Sequence, residues 1–162
     1  MPPKRPGKVF DFKEQLTKGN AAEEEFPAIY KQMTGLEVEK HTTFDYDFNC
    51  EDGNKVELKT DFYPHEKTAN FFIERWSDYD AEKPGSLWQS GPKGVTQFIY
   101  WYKSSGKVYK FTIDLEKLAG IIEQLVEEKS IPMKFIQNRT YRGGGWCIPR
   151  KLLADYWEVF EV

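Results

Sequence analysis

Residues 46–61 of the 162-residue chain read YDFNCEDGNKVELKTD and contain two stretches in which apolar and polar side chains alternate. Alternation with a period of two is typical of a half-buried β-strand. The apolar side of the first stretch consists of Phe44, Tyr46, Phe48 and Cys50. Residues 51–54, EDGN, favour a turn, and the alternation resumes at Val56. We therefore predict a β-hairpin whose first strand covers residues 44–50.

The pairing register of this hairpin decides which polar side chains meet. If Phe48 and Leu58 both face the core, the connecting loop must contain an odd number of residues. A three-residue loop formed by Asp52, Gly53 and Asn54 meets that condition, and Gly53 or Asn54 can adopt the left-handed conformation that such a loop requires.

In this register, Asp47 lies opposite Lys59 and Asn49 lies opposite Glu57. Asp47 and Glu57 are then diagonal neighbours on one polar face, close enough for their carboxylates to share a cation. Lys59 points to the same side as Glu57, because side chains two residues apart on a strand share a face. Two carboxylates beside an ammonium suit Mg²⁺, which takes oxygen ligands and keeps several waters. Glu57 and Lys59 alone would also fit an ordinary cross-strand ion pair, so the metal-site prediction depends on Asp47.

Two long segments have apolar residues at helical spacing. Residues 10–34 predict a helix that stops at Gly35, and Pro27 inside it predicts a kink or a division into two helices. Asp114 is expected to cap a second helix that ends at Lys129. The C-terminal segment predicts a third helical element on the spacing of Leu152, Leu153, Tyr156 and Phe160.

Further strands are predicted where aromatic and β-branched residues are dense, at residues 70–76, 97–103, 107–113 and 146–149. Residues 79–94 predict a loop that can include one short turn of helix, and the glycine run 143–145 predicts a turn or loop that leads into the last of these strands. The expected fold is α/β, with a mixed central β-sheet flanked by helices. We expect one domain over residues 1–162, in which residues 1–9 form a flexible basic tail.

The net charge of −3 conceals a strong separation of charge along the chain. Residues 1–18 carry +3, residues 19–58 carry −7, residues 59–128 carry −2, residues 129–154 carry +6, and the last eight residues carry −3. A surplus of negative charge in one segment is either a solvated acidic face or a cation site. The arginines of the +6 segment, interleaved with Tyr141 and Trp146, suit contacts with phosphates and bases.

Composition excludes several classes of protein. No apolar stretch reaches the ~18 to 20 residues of a membrane helix, and no apolar segment follows the basic N-terminus, so we expect neither a membrane span nor secretion. Cys50 and Cys147 are too few for a disulfide scaffold or a zinc site made of thiolates. An intracellular, cytoplasmic location is expected, which would be the host cytoplasm if the protein is virus-encoded.

These motifs resemble those of the PD-(D/E)XK, or restriction-endonuclease-like, nuclease superfamily and especially its small phage-type members. The resemblance rests on Tyr46-Asp47, the hairpin, Glu57-Leu58-Lys59, the strand 70–76 and an upstream helix bearing glutamates. It covers roughly residues 19–101 and, more loosely, 143–153. The sequence departs from the family pattern at Tyr46, where the family's name has proline, and at Pro27 within the glutamate helix.

The resemblance implies a restriction-endonuclease-like core and magnesium-dependent hydrolysis of DNA, with endonuclease action. Asp47 and Glu57 would bind Mg²⁺ or Mn²⁺, the Leu58 carbonyl would add a ligand, and Lys59 would position or activate the attacking water. Glu23 would hold a metal or the water, although Glu24 and Glu25 are alternatives. Glu74, on the next strand, either reaches this site or forms a surface contact.

DNA is the expected partner, and the residues predicted to contact it are Lys93, Arg139, Arg142, Arg150 and Lys151. A homodimer is compatible with this function, since cutting two strands takes two active sites. The alternative function is a catalytically inactive nucleic-acid-binding or protein-interaction module on the same fold.

Overall fold

We describe the protein from a computed structural model in which residues 12–43 and 45–162 are placed. The predicted N-terminal tail and Phe44 lie outside these ranges. The described chain has helices α1 (Phe12–Thr34), α2 (Ser90–Lys93) and α3 (Leu115–Lys129). Its strands are β1 (Val38–Lys40), β2 (Phe48–Cys50), β3 (Lys55–Asp61), β4 (Asn70–Asp78), β5 (Lys83–Pro84), β6 (Gln97–Tyr102), β7 (Lys107–Phe111), β8 (Lys134–Gln137), β9 (Arg142–Pro149) and β10 (Trp157–Glu161).

The strands form two sheets. The larger has the order β1-β2-β3-β6-β7-β10 and is mixed, because β3 and β6 run parallel while the other neighbours are antiparallel. The smaller sheet has the order β5-β4-β9-β8 and is antiparallel throughout. The predicted α/β class with a mixed sheet and flanking helices is therefore confirmed, and the second sheet is an addition that the sequence pattern did not predict.

Two apolar cores lie on opposite faces of the larger sheet. Strand β6 is buried along its whole length and contributes to both, because its successive side chains alternate between the faces. Phe98, Tyr100 and Tyr102 join the core shared with β4 and α3, whereas Ile99 and Trp101 join the core beneath α1. The larger sheet is thus covered on both sides at its centre.

The ends of the predicted helices agree with the structure only in part. Asp114 caps α3 as predicted, because its side chain accepts a hydrogen bond from the backbone N–H of Lys117. The chain stays helical through Pro27, so the alternative of two separate helices was wrong.

Within the described residues, no helix has the length and apolar character needed to cross a membrane.

The predicted C-terminal helical element is confirmed as far as Tyr156 and wrong beyond it. Residues 150–156 form a 3₁₀ helix, and the chain continues as the edge strand β10, paired with β7. Trp157 packs against one core and Phe160 against the other, on opposite faces of the sheet. Because both faces of the sheet are covered at β10, its apolar residues Trp157 and Phe160 are three positions apart, and this spacing also occurs on one side of a helix. The predicted strand at 44–50 is also shorter, because regular pairing of β2 begins at Phe48.

The glycine run that we expected to form a loop lies inside strand β9, tightly packed against β4. A Cβ atom added at Gly145 would lie 2.5 Å from the backbone oxygen of Ile73 and 2.7 Å from the Phe72 ring. Both distances are shorter than real carbon contacts, so any larger residue would push β4 away. Close approach of two backbones, not loop flexibility, explains this glycine.

We expect Gly145→Ala to destabilise the protein by about 1 to 3 kcal/mol, because relieving the clash requires a backbone shift. Gly120→Ala is the matched control, since a Cβ there meets no atom within 4 Å and the position is inside α3. This control should stabilise the protein by about 0.5 to 1 kcal/mol through improved helix propensity. Urea unfolding of both variants measures the difference, and equal stability of Gly145→Ala and wild type would contradict the packing argument.

Candidate metal and nucleic-acid site

The hairpin β2–β3 brings Asp47 near Glu57, although the two residues are not a ladder pair. The observed pairs are Phe48 with Val56 and Asn49 with Lys55, so the predicted register, with Asp47 opposite Lys59, was wrong by two residues. Asp47 lies just before this ladder, and its backbone N–H donates to the carbonyl of Val56, which is already the partner of Phe48. The regular pattern is therefore interrupted at Asp47, whose charge still reaches Glu57 and raises the pKa of that carboxyl.

The loop position explains this difference. The backbone N–H of Cys50 donates to the carbonyl of Asn54, so the loop consists of residues 51–53 and not 52–54. Gly53 has φ of +93°, a conformation that glycine adopts at little cost. Asp52 accepts a hydrogen bond from the backbone N–H of Asn54 and so stabilises the turn. Both loops satisfy the parity condition, so Phe48 and Leu58 pack against the same core as predicted although the register differs. Tyr46, predicted to lie on the side of Phe48, packs in the other core.

Asp47 is fixed at the open edge of β3. Its Oδ2 accepts a hydrogen bond from the backbone N–H of Leu58, at 2.7 Å between nitrogen and oxygen. Its own N–H also donates, to the carbonyl of Val56. The Leu58 carbonyl projects to the same edge as its N–H, because both groups of a strand residue face the same neighbour. A backbone oxygen is therefore available next to the Asp47 carboxylate.

Helix α1 brings Glu23 to this edge. The helix packs on the sheet through Ala22, Phe26 and Tyr30, all fully or almost fully buried. Glu23 lies beside Ala22 on the helix, its side chain is 22% exposed, and one of its oxygens is 3.2 Å from the ammonium of Lys40. The charge of Glu23 acts on both Asp47 and Glu57.

The other two glutamates of the helix point elsewhere. Glu24 is exposed, and Glu25 is paired with Lys103 at 2.8 Å. Of the three candidates in the sequence, Glu23 is therefore the one beside the hairpin carboxylates.

The three carboxylates make a site where negative charge is costly. Burial raises the pKa of Asp47 to about 6, against the opposing hydrogen bond from Leu58, and the neighbouring Glu23 carboxylate raises it further. Burial together with the charge of Asp47 raises the pKa of Glu57 to about 8, with Lys93 opposing the rise. Lys40 and Lys93 thus offset part of the negative charge without cancelling it.

This charge cluster predicts how stability depends on pH in the absence of divalent cations. The folded-state pKa values of Asp47 and Glu57 lie above the unfolded values near 4, so their contribution to stability is present at low pH. It is lost as the pH rises through about 6 and about 8. Glu57→Gln removes one of these charges, so in EDTA at pH 8 we expect the variant to be more stable than wild type, by on the order of 1 to 3 kcal/mol.

Urea unfolding of wild type and Glu57→Gln at pH 5 and pH 8 measures this effect. The stability advantage of the variant should be larger at pH 8 than at pH 5. Glu158→Gln, on the exposed face of β10 at the far edge of the same sheet, is the matched control and should match wild type at both values. A Glu57→Gln variant that is less stable than wild type at pH 8 would contradict the described electrostatics.

Lys59 lies between the hairpin and the second sheet. It lines a small cavity of about 150 Å³ together with Glu57, Phe72 and Glu74. Its ammonium is 6.0 Å from the centre of the Phe72 ring. Glu74 is exposed on the wall of this cavity, where partial desolvation raises the pKa of its carboxyl and the charge of Lys59 acts in the opposite direction. Of the two alternatives for Glu74, the structure therefore favours the one in which it reaches the site.

The donor set fits a hard divalent cation only with help from backbone and water. Among the side chains that the structure describes, no group of three or more from His, Cys, Asp and Glu is arranged to hold a metal ion by itself. The carboxylates of Asp47 and Glu57 and the Leu58 carbonyl are neighbouring oxygen donors. Mg²⁺ is commonly bound by one or two carboxylates while its other positions hold water or substrate phosphate, which matches this set.

The residues predicted to contact DNA are not gathered on one surface. Lys93 lies near Glu57, where its charge lowers the pKa of that carboxyl. Arg142 forms a two-bond ion pair with Asp80 and stacks on Tyr79 and Phe135, so its guanidinium is occupied.

The remaining predicted contacts lie beyond the two ends of β9. Arg150 donates to the Tyr102 hydroxyl and lines a surface pocket with Lys67, while Arg139 and Lys151 are exposed. Because Arg142 begins β9 and Arg150 follows its end, the two are roughly 27 Å apart at ~3.4 Å per residue. The +6 segment is thus spread along a strand.

Sequence reasoning missed Lys40 and a cleft beside Lys59. Lys40 lies in the three-residue strand β1, which is too short to give a periodic signal. The cleft has a volume of about 720 Å³ and combines side chains from six separate parts of the chain, so no local sequence pattern predicts it. Comparisons of this chain with protein families, with curated proteins and with solved structures give no match.

Proposed function

We propose that this protein is a metal-dependent nuclease that hydrolyses phosphodiester bonds in DNA, acting as an endonuclease. The observation that carries the proposal is the proximity of two half-buried carboxylates: Asp47 accepts a hydrogen bond from Leu58, the residue after Glu57, and its charge raises the pKa of Glu57. The side chain of Lys59 lies on the same face of β3 as that of Glu57, because the two residues are two positions apart on the strand. A folded protein gains nothing from burying like charges side by side unless a cation joins them, so this arrangement favours a binding site over a stabilising contact.

In the proposed site, Asp47, Glu57 and the Leu58 carbonyl hold Mg²⁺ or Mn²⁺, and Glu23 holds the metal or its water. When bound, the ion lowers the pKa of a coordinated water and stabilises negative charge on the phosphate oxygens. To take this role, Glu23 must give up its ion pair with Lys40. The ammonium of Lys40 then offsets part of the negative charge of the carboxylates at the outer edge of the site.

Lys59 is the proposed group that acts on the water or on the phosphate. A protonated lysine cannot bind a metal, but it can orient the attacking water and stabilise the charge that develops on phosphorus. Lys59 lines a small cavity together with Glu57 and Glu74. Within the described residues, its ammonium forms no ion pair with a carboxylate.

The same residues support membership of the PD-(D/E)XK superfamily as a proposal. A helix with Glu23, a hairpin with Asp47, and the run Glu57-Leu58-Lys59 occur in the order that the family pattern requires. The hairpin lies in a mixed sheet covered by α1, as the resemblance leads one to expect.

The test is cleavage of supercoiled, linear duplex, single-stranded and branched DNA in Mg²⁺, in Mn²⁺ and in EDTA. We expect cleavage of at least one substrate with either metal and none in EDTA. Activity that persists in EDTA would overturn the proposed metal site. Binding of DNA without cleavage of any substrate would instead favour the inactive nucleic-acid-binding module.

A further inference from the structure

A cleft of about 720 Å³ opens beside the proposed site, where the two sheets meet. Its walls come from the end of β3, the loop and 3₁₀ helix that follow, and strands β4, β8 and β9. Lys59 and Phe72 line both this cleft and the small cavity that contains Glu57 and Glu74. A ligand in the cleft would therefore continue directly into the carboxylate site.

The cleft is positively charged. Four lysines line it, namely Lys18, Lys59, Lys67 and Lys134, against one carboxylate, Asp61. Lys59, Lys67 and Lys134 have no carboxylate at ion-pair distance within the part of the chain that the structure describes. Lysines in such a position attract the phosphates of a nucleic acid backbone.

Asp61 serves to position the rim of the cleft. Its Oδ2 accepts a hydrogen bond from the Tyr100 hydroxyl at 2.5 Å, and its Oδ1 accepts one from the backbone N–H of Tyr63 at 2.8 Å. Both oxygens are thereby occupied. The second bond fixes the turn that carries Tyr63, whose side chain is 56% exposed at the cleft. A large exposed aromatic ring held on a rigid turn is a stacking surface for an unpaired base.

The lining of the cleft favours a single strand over a duplex. The faces of paired bases are stacked on one another in a duplex, so an unpaired strand is the form that can place its bases against Tyr63 and Phe72 while its phosphates lie on the lysines. We infer that this cleft binds a single-stranded segment of DNA next to the bond that is cut. The inference rests on the proposed nuclease function for its biological meaning, whereas strand binding can be measured without cleavage.

The experiment measures binding of fluorescent single-stranded and duplex DNA of equal length to the full chain in EDTA, by anisotropy at fixed salt. We expect at least ~10-fold tighter binding of the single strand. Tyr63→Ala should weaken single-strand binding by about 5- to 100-fold, through the loss of one stacked base. Tyr79→Ala, which removes another exposed tyrosine outside the cleft, is the matched control and should bind like wild type.

A second pair of variants tests the phosphate contacts. Lys134→Ala should weaken single-strand binding and reduce the slope of log affinity against log salt by about 0.7, the value for one phosphate contact on a single strand. Lys129→Ala, an exposed lysine at the end of α3, should leave the slope unchanged.

The outcomes separate this inference from the nuclease proposal. Equal binding of single strand and duplex, no binding of either, or a Tyr63→Ala variant that binds like Tyr79→Ala would overturn the cleft assignment, even if metal-dependent cleavage is found. Tyr63-dependent single-strand binding without cleavage in Mg²⁺ or Mn²⁺ would support the cleft and overturn the nuclease proposal.

Discussion

Asp47→Asn and Glu57→Gln are each expected to reduce metal-dependent cleavage by ~100-fold or more, because each removes an anionic oxygen donor from the proposed metal site. Both substitutions keep the shape of the side chain. An asparagine oxygen at position 47 can still accept the hydrogen bond from Leu58, so the hairpin should remain folded. The loss of activity should therefore reflect charge and not misfolding.

Initial cleavage rates and melting temperatures of the variants in Mg²⁺ and in EDTA measure this effect. Because a ligand that binds only the folded state stabilises it, Mg²⁺ should raise the melting temperature of wild type more than that of Asp47→Asn. Glu158→Gln is the matched control and should keep both the activity and the Mg²⁺ response. Variants of Asp47 and Glu57 that cleave at the wild-type rate would contradict the site assignment.

The second large effect is expected at Phe26, which anchors the helix that carries Glu23. Phe26 is fully buried and its ring contacts Tyr30, Phe48 and Trp101. Phe26→Ala should reduce the free energy of unfolding by about 3 to 5 kcal/mol, since it removes a buried ring and leaves a cavity between α1 and the sheet.

Glu24→Ala is the matched control, because Glu24 is exposed on the same helix, and its effect should stay within about 0.5 kcal/mol. Urea unfolding compares the two variants at the same pH. A loss of less than about 1 kcal/mol in Phe26→Ala would indicate that α1 does not depend on this contact, and the placement of Glu23 would lose its support.

Local alternation of side chains predicted the centre of the fold correctly, because it reflects burial on one face of a strand. It predicted that Asp47 and Glu57 lie close together, and the charge of Asp47 does act on Glu57, but the register depends on whether the turn is centred on Asp52 or Gly53. That choice is made by the left-handed conformation at Gly53 and the Asp52 to Asn54 hydrogen bond, which alternation does not encode.

Tertiary contacts explain what local pattern could not predict. Gly145 lies in a strand because β4 approaches its backbone closely, and residues 157–161 form a strand because β7 offers an edge to pair with. Tertiary contacts also decide which charged residues come together. Glu23, Asp47 and Glu57 of the −7 segment come together through the packing of α1 on the hairpin, whereas the +6 segment is extended along β9.

The central claim is tested most directly by one time course of cleavage with a labelled DNA substrate, comparing wild type, Lys59→Met and Lys110→Met in Mg²⁺ and in EDTA. Lys110, on β7 of the same sheet, provides the matched control for losing a strand lysine. The account predicts cleavage by wild type and Lys110→Met in Mg²⁺ only, and a rate ~100- to 10,000-fold lower for Lys59→Met. Equal rates for all three proteins, or cleavage by wild type in EDTA, would contradict it.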